Sequence, residues 1–110
     1  MEQRRVGRSG LSVSALGLGT MLWGREVDLD TAAEIASAFR DGGGTLIDTA
    51  ASYGSGAAER IVGQIVEDII PRDELVIATK AGFVRRGDQR LVDGSRGALL
   101  RQLAASLTNL

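Results

Sequence analysis

Three residues could do chemistry together if the fold joins them: Asp48, Tyr53 and Lys80. The stretch GTLIDTAASYGSG (44–56) runs from an apolar segment into the carboxylate of Asp48, then through small residues to a phenol beside two glycines. Further on, LVIATK (75–80) runs from an apolar segment into an ammonium. Tyr53 is the only tyrosine, and Lys80 the only lysine among 13 basic residues. A phenol, with a pKa of about 10, gives up its proton poorly near neutrality. A close ammonium stabilises the phenolate and lowers that value, and each unit is worth about 1.4 kcal/mol to a general acid. Lysine supplies this as a compact point charge, where arginine would offer a diffuse planar fork. The carboxylate would hold the ammonium in place and keep it charged. Singly, each residue has a plainer reading: a tyrosine packing in a glycine-rich loop, an aspartate closing a turn on its own backbone, a solvated lysine. Together at adjacent strand ends they favour the chemical one.

That juxtaposition needs particular elements. Residues 11–16, LSVSAL, alternate apolar and polar after the turn signal Ser9-Gly10, which predicts an N-terminal hairpin. GLGTMLW (17–23) reads as a short buried strand entering a loop. TAAEIASAFR (31–40) puts Ala32, Ile35, Ala36 and Phe39 on one helical face, with Thr31 and Glu34 at capping-box spacing and Gly42-Gly43-Gly44 as the stop. After TLIDTA comes AERIVGQIVEDII (58–70), whose Ala58, Ile61, Val62, Ile65, Val66 and Ile69 form a wide apolar stripe ended by Pro71. LVIATK then reads as a buried strand, 81–94 as a polar loop, and Ser95 as the cap of a last helix with Leu100, Leu103, Leu107 and Leu110 on one side.

The order is a hairpin followed by β-α-β-α-β-α, so the fold class is α/β with three parallel βα units and right-handed crossovers. Three units make either a small open sheet or an arc of a larger barrel. In both, functional groups gather at the carboxyl ends of the strands, where Asp48 and Lys80 would stand about 4.8 Å apart on neighbouring strands. Unpaired outer strands would invite self-association through their open edges.

Composition narrows the function. The chain has 110 residues, 44% hydrophobic and 25% charged, with a net charge of −1, so nothing suggests a nucleic-acid partner. No apolar run reaches the roughly 20 residues of a membrane span, and MEQRRVGRSG lacks the apolar core of a signal peptide, so a cytoplasmic protein is expected. The chain contains neither cysteine nor histidine, which argues against a transition-metal site and rules out a Ser-His nucleophile within it. Gly17-Leu18-Gly19 and Gly54-Ser55-Gly56 both lack the third glycine of a dinucleotide fingerprint.

GRSGLSVSALGLGTMLWG, DGGGTLIDTAASYGSGAAERIVG, RDELVIATKAG and SRGALLRQLAASLTNL in this order resemble the N-terminal part of the aldo-keto reductases, over essentially all 110 residues. IDTAASYGSG and IATKAG carry most of the resemblance. It implies a (β/α)8 TIM barrel of which these are the first three βα units, so residues 1–110 would be an incomplete NADP-dependent oxidoreductase domain. It also implies NADPH as cofactor and an aldehyde or ketone as substrate. Asp48, Tyr53 and Lys80 match three members of the family's catalytic tetrad. Tyr53 would be the general acid that protonates the carbonyl oxygen and so would touch substrate. Lys80 would assist the proton's departure, and Asp48 would pair with Lys80 and approach the nicotinamide ribose. Thr20 and Met21 would lie beside the cofactor, and Trp23 would line the substrate mouth or serve as a hydrophobic plug. The fourth tetrad member is a histidine, which this chain lacks. The segments that carry most pyrophosphate and adenine contacts lack counterparts in it too. The expectation is therefore a chain that does not itself hold NADPH tightly and is inactive alone. The alternative is a non-catalytic truncated barrel that acts as an interaction or regulatory partner of another chain. A small independent nucleotide-binding module is a third reading, without a phosphate motif to support it.

Overall fold

A computed structural model describes residues 1–110. Strand β1 (Gln3–Arg5) pairs antiparallel with β2 (Ser12–Ser14), as the turn signal between them predicts. Three parallel strands follow: β3 (Gly17–Gly19), β4 (Leu46–Asp48) and β5 (Val76–Ala78). They lie side by side in the order β3-β4-β5, with Gly19, Asp48 and Ala78 in register at their carboxyl ends. Helix α1 (Leu29–Asp41) connects β3 to β4, and α2 (Ala57–Asp68) connects β4 to β5. Beyond β5 an antiparallel hairpin, β6 (Phe83–Arg86) and β7 (Gln89–Val92), leads to α3 (Arg96–Asn109), which packs on α2.

The expectation of a TIM-barrel arc is corrected here. The seven strands fall into three separate sheets, and none of them closes. Closure requires the last strand to pair with the first, at a tilt and stagger that eight strands supply. Here β3 and β5 each have one neighbour, and the parallel sheet is short and open. The architecture is α/β with one open three-stranded parallel sheet and two separate antiparallel hairpins.

The open sheet explains a second difference. LVIATK does not form a fully buried strand: Val76 and Ile77 are half-buried and Ala78 is exposed, because β5 is an edge. Likewise β3 is only partly covered, at Leu18. The core sits between the sheet and the helices α1 and α2. Ile47 of the central strand meets Ala32 and Ala36 of α1 and Ile61, Val62 and Ile65 of α2, with Ile70, Leu75 and Trp23 completing the cluster. Each large aliphatic side chain buried there contributes about 1.5–3 kcal/mol.

Two helices differ from expectation in detail. α1 begins one turn earlier than its apolar periodicity indicates, because Asp28, not Thr31, is the cap: its carboxylate accepts from the Thr31 N–H at 2.9 Å. α3 is capped by Ser95 as predicted, but three of the four leucines face outward: Leu103 is 50% and Leu107 72% exposed and Leu100 is exposed too, while Leu110 packs partly on the core and Ala98 and Ser106 are buried. The end of α3 lies so close on α2 that a Cβ at Gly63 would collide with the Asn109 carbonyl. The expected loop at 81–94 contains the β6–β7 hairpin, turned by Gly87-Asp88, with Gly87 at φ +57. No helix is long and apolar enough to cross a membrane.

Candidate active site

The parallel ladder continues past the strand ends and fixes the loops that carry the three groups. The Thr49 N–H donates to the Ala78 carbonyl at 2.8 Å, and the Ala51 N–H to the Lys80 carbonyl at 3.2 Å. On the other side, both the N–H and the hydroxyl of Thr20 donate to the Asp48 carbonyl, each at 3.1 Å. Asp48 and Lys80 are thereby held on adjacent segments of the backbone. The Lys80 ammonium donates to Asp48 Oδ1 at 2.6 Å and to the Thr49 carbonyl at 3.0 Å.

Tyr53 reaches the same place through a tight turn. Its N–H donates to the Ala50 carbonyl at 3.0 Å, and Gly54, Ser55 and Gly56 all have positive φ. Glycine takes that conformation freely, whereas Ser55, at φ +54, is strained in it. The turn swings the phenol ring back so that Lys80 Nζ stands 5.2 Å from its centroid. The expected trio is therefore brought together.

Partial burial works to lower the lysine's pKa, but the Asp48 hydrogen bond and charge, with Tyr53 adding to them, outweigh it and hold it above the usual 10.5. The pair remains open to water, with the Lys80 side chain 51% and that of Asp48 43% exposed.

Two cavities flank Tyr53. The first, of about 390 Å³, is lined by Thr20, Met21, Trp23, Asp48 and Tyr53 together with apolar residues of β3 and α1. Trp23 is 3% exposed and belongs to the core cluster, so it is both plug and wall. Thr20 is buried with its hydroxyl committed to Asp48, and Met21 is exposed at the rim. This cavity has one carboxylate and no cation in its lining. Its lining offers an apolar wall and one carboxylate that accepts hydrogen bonds, which suits a ring and the hydroxyls of a sugar, and brings no cation to a phosphate. The second cavity, of about 250 Å³, lies against Tyr53, Lys80, Phe83, Arg90 and Gln102. Nowhere do three His, Cys, Asp or Glu side chains gather as metal ligands.

Sequence reasoning missed Glu59. It is 1% exposed and accepts from the Thr79 hydroxyl at 2.7 Å and from the Asn109 side-chain amide at 2.9 Å. Thr79 immediately precedes Lys80, so this buried carboxyl group ties the lysine's backbone to the start of α2. The available signal was a charged residue one helical turn before Val62 and two before Val66, bordering the apolar stripe. Arg90 was missed because the hairpin was missed, and Gln102, on the expected last helix, because its partner is the Gly82 N–H at the start of that unread segment.

Residues 15–110 match the Aldo/keto reductase family. Aldo-keto reductase YhdN of Bacillus subtilis is 34% identical over 115 residues, covering 100% of this chain and 34% of the relative. A protein of Oryza sativa named as a voltage-gated potassium channel subunit beta is 34% identical, over 92% of this chain and 34% of its own length. Among solved structures, a Pseudomonas aeruginosa protein described by its family resemblance as an aldo-keto reductase superposes with a TM-score of 0.87 at 37% identity, over 98% of this chain and 42% of that one. The holo form of an aldo-keto reductase of Bacillus halodurans gives 0.88 at 30% identity, over 100% and 36%. The chain thus spans about a third of the length of the curated relatives it matches.

Proposed function

Because this chain belongs to the aldo/keto reductase family, we propose that its Asp48–Lys80–Tyr53 group is the proton-donating part of an NADPH-dependent carbonyl reductase, which turns an aldehyde or ketone into an alcohol. The observation that carries this reading is the position of the Lys80 ammonium, bonded to Asp48 at 2.6 Å and 5.2 Å from the centre of the Tyr53 ring.

Tyr53 is the general acid. Its hydroxyl hydrogen-bonds the substrate's carbonyl oxygen and gives up its proton as negative charge grows there. Lys80 supplies compensating positive charge as the phenolate forms, and Asp48 with the Thr49 carbonyl keeps the ammonium aimed. The residues of the first cavity fit the nicotinamide and ribose end of the cofactor: Trp23, Met21 and Leu18 would give it an apolar wall, and Asp48 would accept from ribose hydroxyls. When bound there, the cofactor supplies the hydride. Nothing in that cavity suits the phosphates, so tight binding calls for further residues, as in a protein of the relatives' length. Residues 1–110 would then act as one oxidoreductase unit within it.

The test is Tyr53→Phe in the native-source protein. Loss of a general acid costs about 10²–10⁴-fold in rate, so carbonyl reduction should fall at least a hundredfold while NADPH affinity is kept. Full reduction by the variant would sink the assignment.

A second reading has a specific support, the plant relatives named as channel beta subunits at 34% and 32% identity. On it, the chain is a non-catalytic partner that engages another chain through the open edges of β3 and β5. It predicts that Tyr53→Phe leaves assembly intact, and that no carbonyl compound is reduced by the unsubstituted protein.

A further inference from the structure

The second cavity holds two groups that the proton-donating unit does not use. Gln102 Oε1 accepts from the Gly82 N–H at 3.0 Å, which fixes the orientation of the amide. Its Nε2 is then buried without any hydrogen-bond partner, in a side chain that lines the same cavity as Tyr53 and Lys80. A buried donor left unmade is costly, and an acceptor on a ligand would recover that cost. The other group is Arg90. Its guanidinium lies 4.7 Å from the centre of the Phe83 ring, a contact that positions the charge without neutralising it. No carboxylate forms a salt bridge with it, whereas the charge of Lys80 is answered by Asp48.

The surroundings carry the same sign. A wider cavity of about 630 Å³ shares Ser52, Phe83 and Arg90 with this one and adds Arg25, Arg85 and a single acid, Asp88. Neither Arg25 nor Arg85 has a carboxylate partner. These residues come from the loops that follow all three parallel strands, Arg25 after β3, Ser52 after β4 and the hairpin arginines after β5. Unanswered guanidinium groups converging on one cleft raise the local concentration of anions and bind their oxygens in charge-assisted pairs.

We propose that this cavity receives the anionic end of the substrate: the protein acts on a small aldehyde or ketone that also carries a carboxylate or phosphate group. Arg90 holds the anion's oxygens, and a small turn of the Gln102 side chain brings its buried, unpartnered amide donor to them, while the carbonyl lies at Tyr53. The carbonyl half of the proposal rests on the reductase reading; the anion half stands on Arg90 and Gln102 alone. A cavity of about 250 Å³ admits a few carbons and one acid group, not a long acyl chain. The anion remains unchanged in the reaction: the carbonyl gains a hydride from the cofactor and a proton from Tyr53, and no other bond breaks.

Binding tests this without turnover. The full chain, labelled with ¹⁵N, is titrated with pyruvate, with its uncharged methyl ester, and with inorganic phosphate, following the arginine Nε–H and Gln102 amide signals. Pyruvate should move these signals at concentrations at least tenfold below those the ester needs. Arg90→Gln should erase that preference, Arg90→Lys should restore part of it, and Gln102→Leu should weaken pyruvate severalfold. Tighter binding of phosphate than of pyruvate would assign the anion as a phosphate group, and the reverse order a carboxylate. Equal binding of acid and ester, or no response to either, overturns the proposal; that comparison uses the unsubstituted chain and stands even if a variant unfolds. Because reduction is not read, a failed Tyr53→Phe test leaves this result untouched, and charge-blind binding leaves the reductase reading standing.

Discussion

Replacing Glu59 with leucine should destabilise the chain and loosen Lys80 at the same time. The carboxyl group is 1% exposed and takes two hydrogen bonds, from Thr79 at 2.7 Å and from Asn109 at 2.9 Å. Leucine fills nearly the same volume without an acceptor, so both donors lose their partner in a part-buried setting. Each lost bond costs about 1–1.5 kcal/mol, more where the donor stays dry, which gives about 2–4 kcal/mol in total. For a domain of this size each kcal/mol moves Tm by about 4–8 °C, so a fall of at least about 8 °C is expected. Thr79→Val removes one bond and should cost about half as much. In the double variant the two losses should overlap by about 1 kcal/mol, since they report one contact. Glu59→Gln should fall between, because Asn109 can turn its carbonyl toward the new amide while Thr79 keeps an acceptor. The assay is thermal unfolding followed by circular dichroism, with the single lysine's side-chain signal observed by NMR. If Glu59→Leu unfolds within about 0.5 kcal/mol of the parent, or if Thr79→Val leaves the Lys80 signal unmoved, the reasoning that Glu59 positions the lysine is wrong.

Gly63→Ala should push the end of α3 off α2, since a Cβ there meets the Asn109 carbonyl; a cost of about 1–3 kcal/mol should lower the urea midpoint with the slope unchanged. Asp28 is held below its usual carboxyl value of 3.8 by the Thr31 N–H. Its contribution to α1 is therefore present above that pH and is lost as pH falls through the depressed value. Asp28→Asn should flatten this acid limb of the stability curve, and an unchanged limb would contradict the cap assignment. Lys80 has the opposite sign: its value is raised above 10.5, so the Asp48 pair stabilises fully below that pH and fades as pH rises through the folded value. With both partners about half exposed the gain is small, about 0.2–1 kcal/mol. Asp48→Asn and the parent should converge in stability at strongly alkaline pH, as read by urea denaturation.

The strand ends were readable because a parallel strand that carries an acid or an ammonium after its last apolar residue leaves few places to put it. Once the strands paired, Asp48 stood in register with Ala78, and Lys80, two residues farther along, lay within reach of it through its long side chain. The loop to Tyr53 was readable in length, and its glycines allow the left-handed turn that returns the ring. What the chain order could not convey was closure, since strand pairing is a tertiary fact and β3 and β5 each have one neighbour. The leucines of α3 satisfy helical periodicity, but the side that turns inward carries Ala98 and Ser106, and the end of that helix comes closest to α2 where Gly63 has no side chain to meet the Asn109 carbonyl. Thr31 and Glu34 imitate a capping box one turn inside the helix; Asp28, three residues earlier, captures the same Thr31 N–H and starts the helix sooner. Gly87-Asp88 is itself a hairpin-turn dipeptide. Its flanks are too charged to read as strands, which concealed Arg90 and, with it, the second cavity.

The central claim is that Asp48, Lys80 and Tyr53 form one coupled unit, and the chain's single lysine allows a direct test. With lysine labelled at ¹⁵Nζ, the side-chain signal of Lys80 is titrated in the parent, in Asp48→Asn and in Tyr53→Phe. The account predicts that the parent titrates above 10.5, that Asp48→Asn lowers the midpoint most, and that Tyr53→Phe lowers it less. A Lys80 that titrates at the same pH in all three proteins, as a solvated lysine would, contradicts the account.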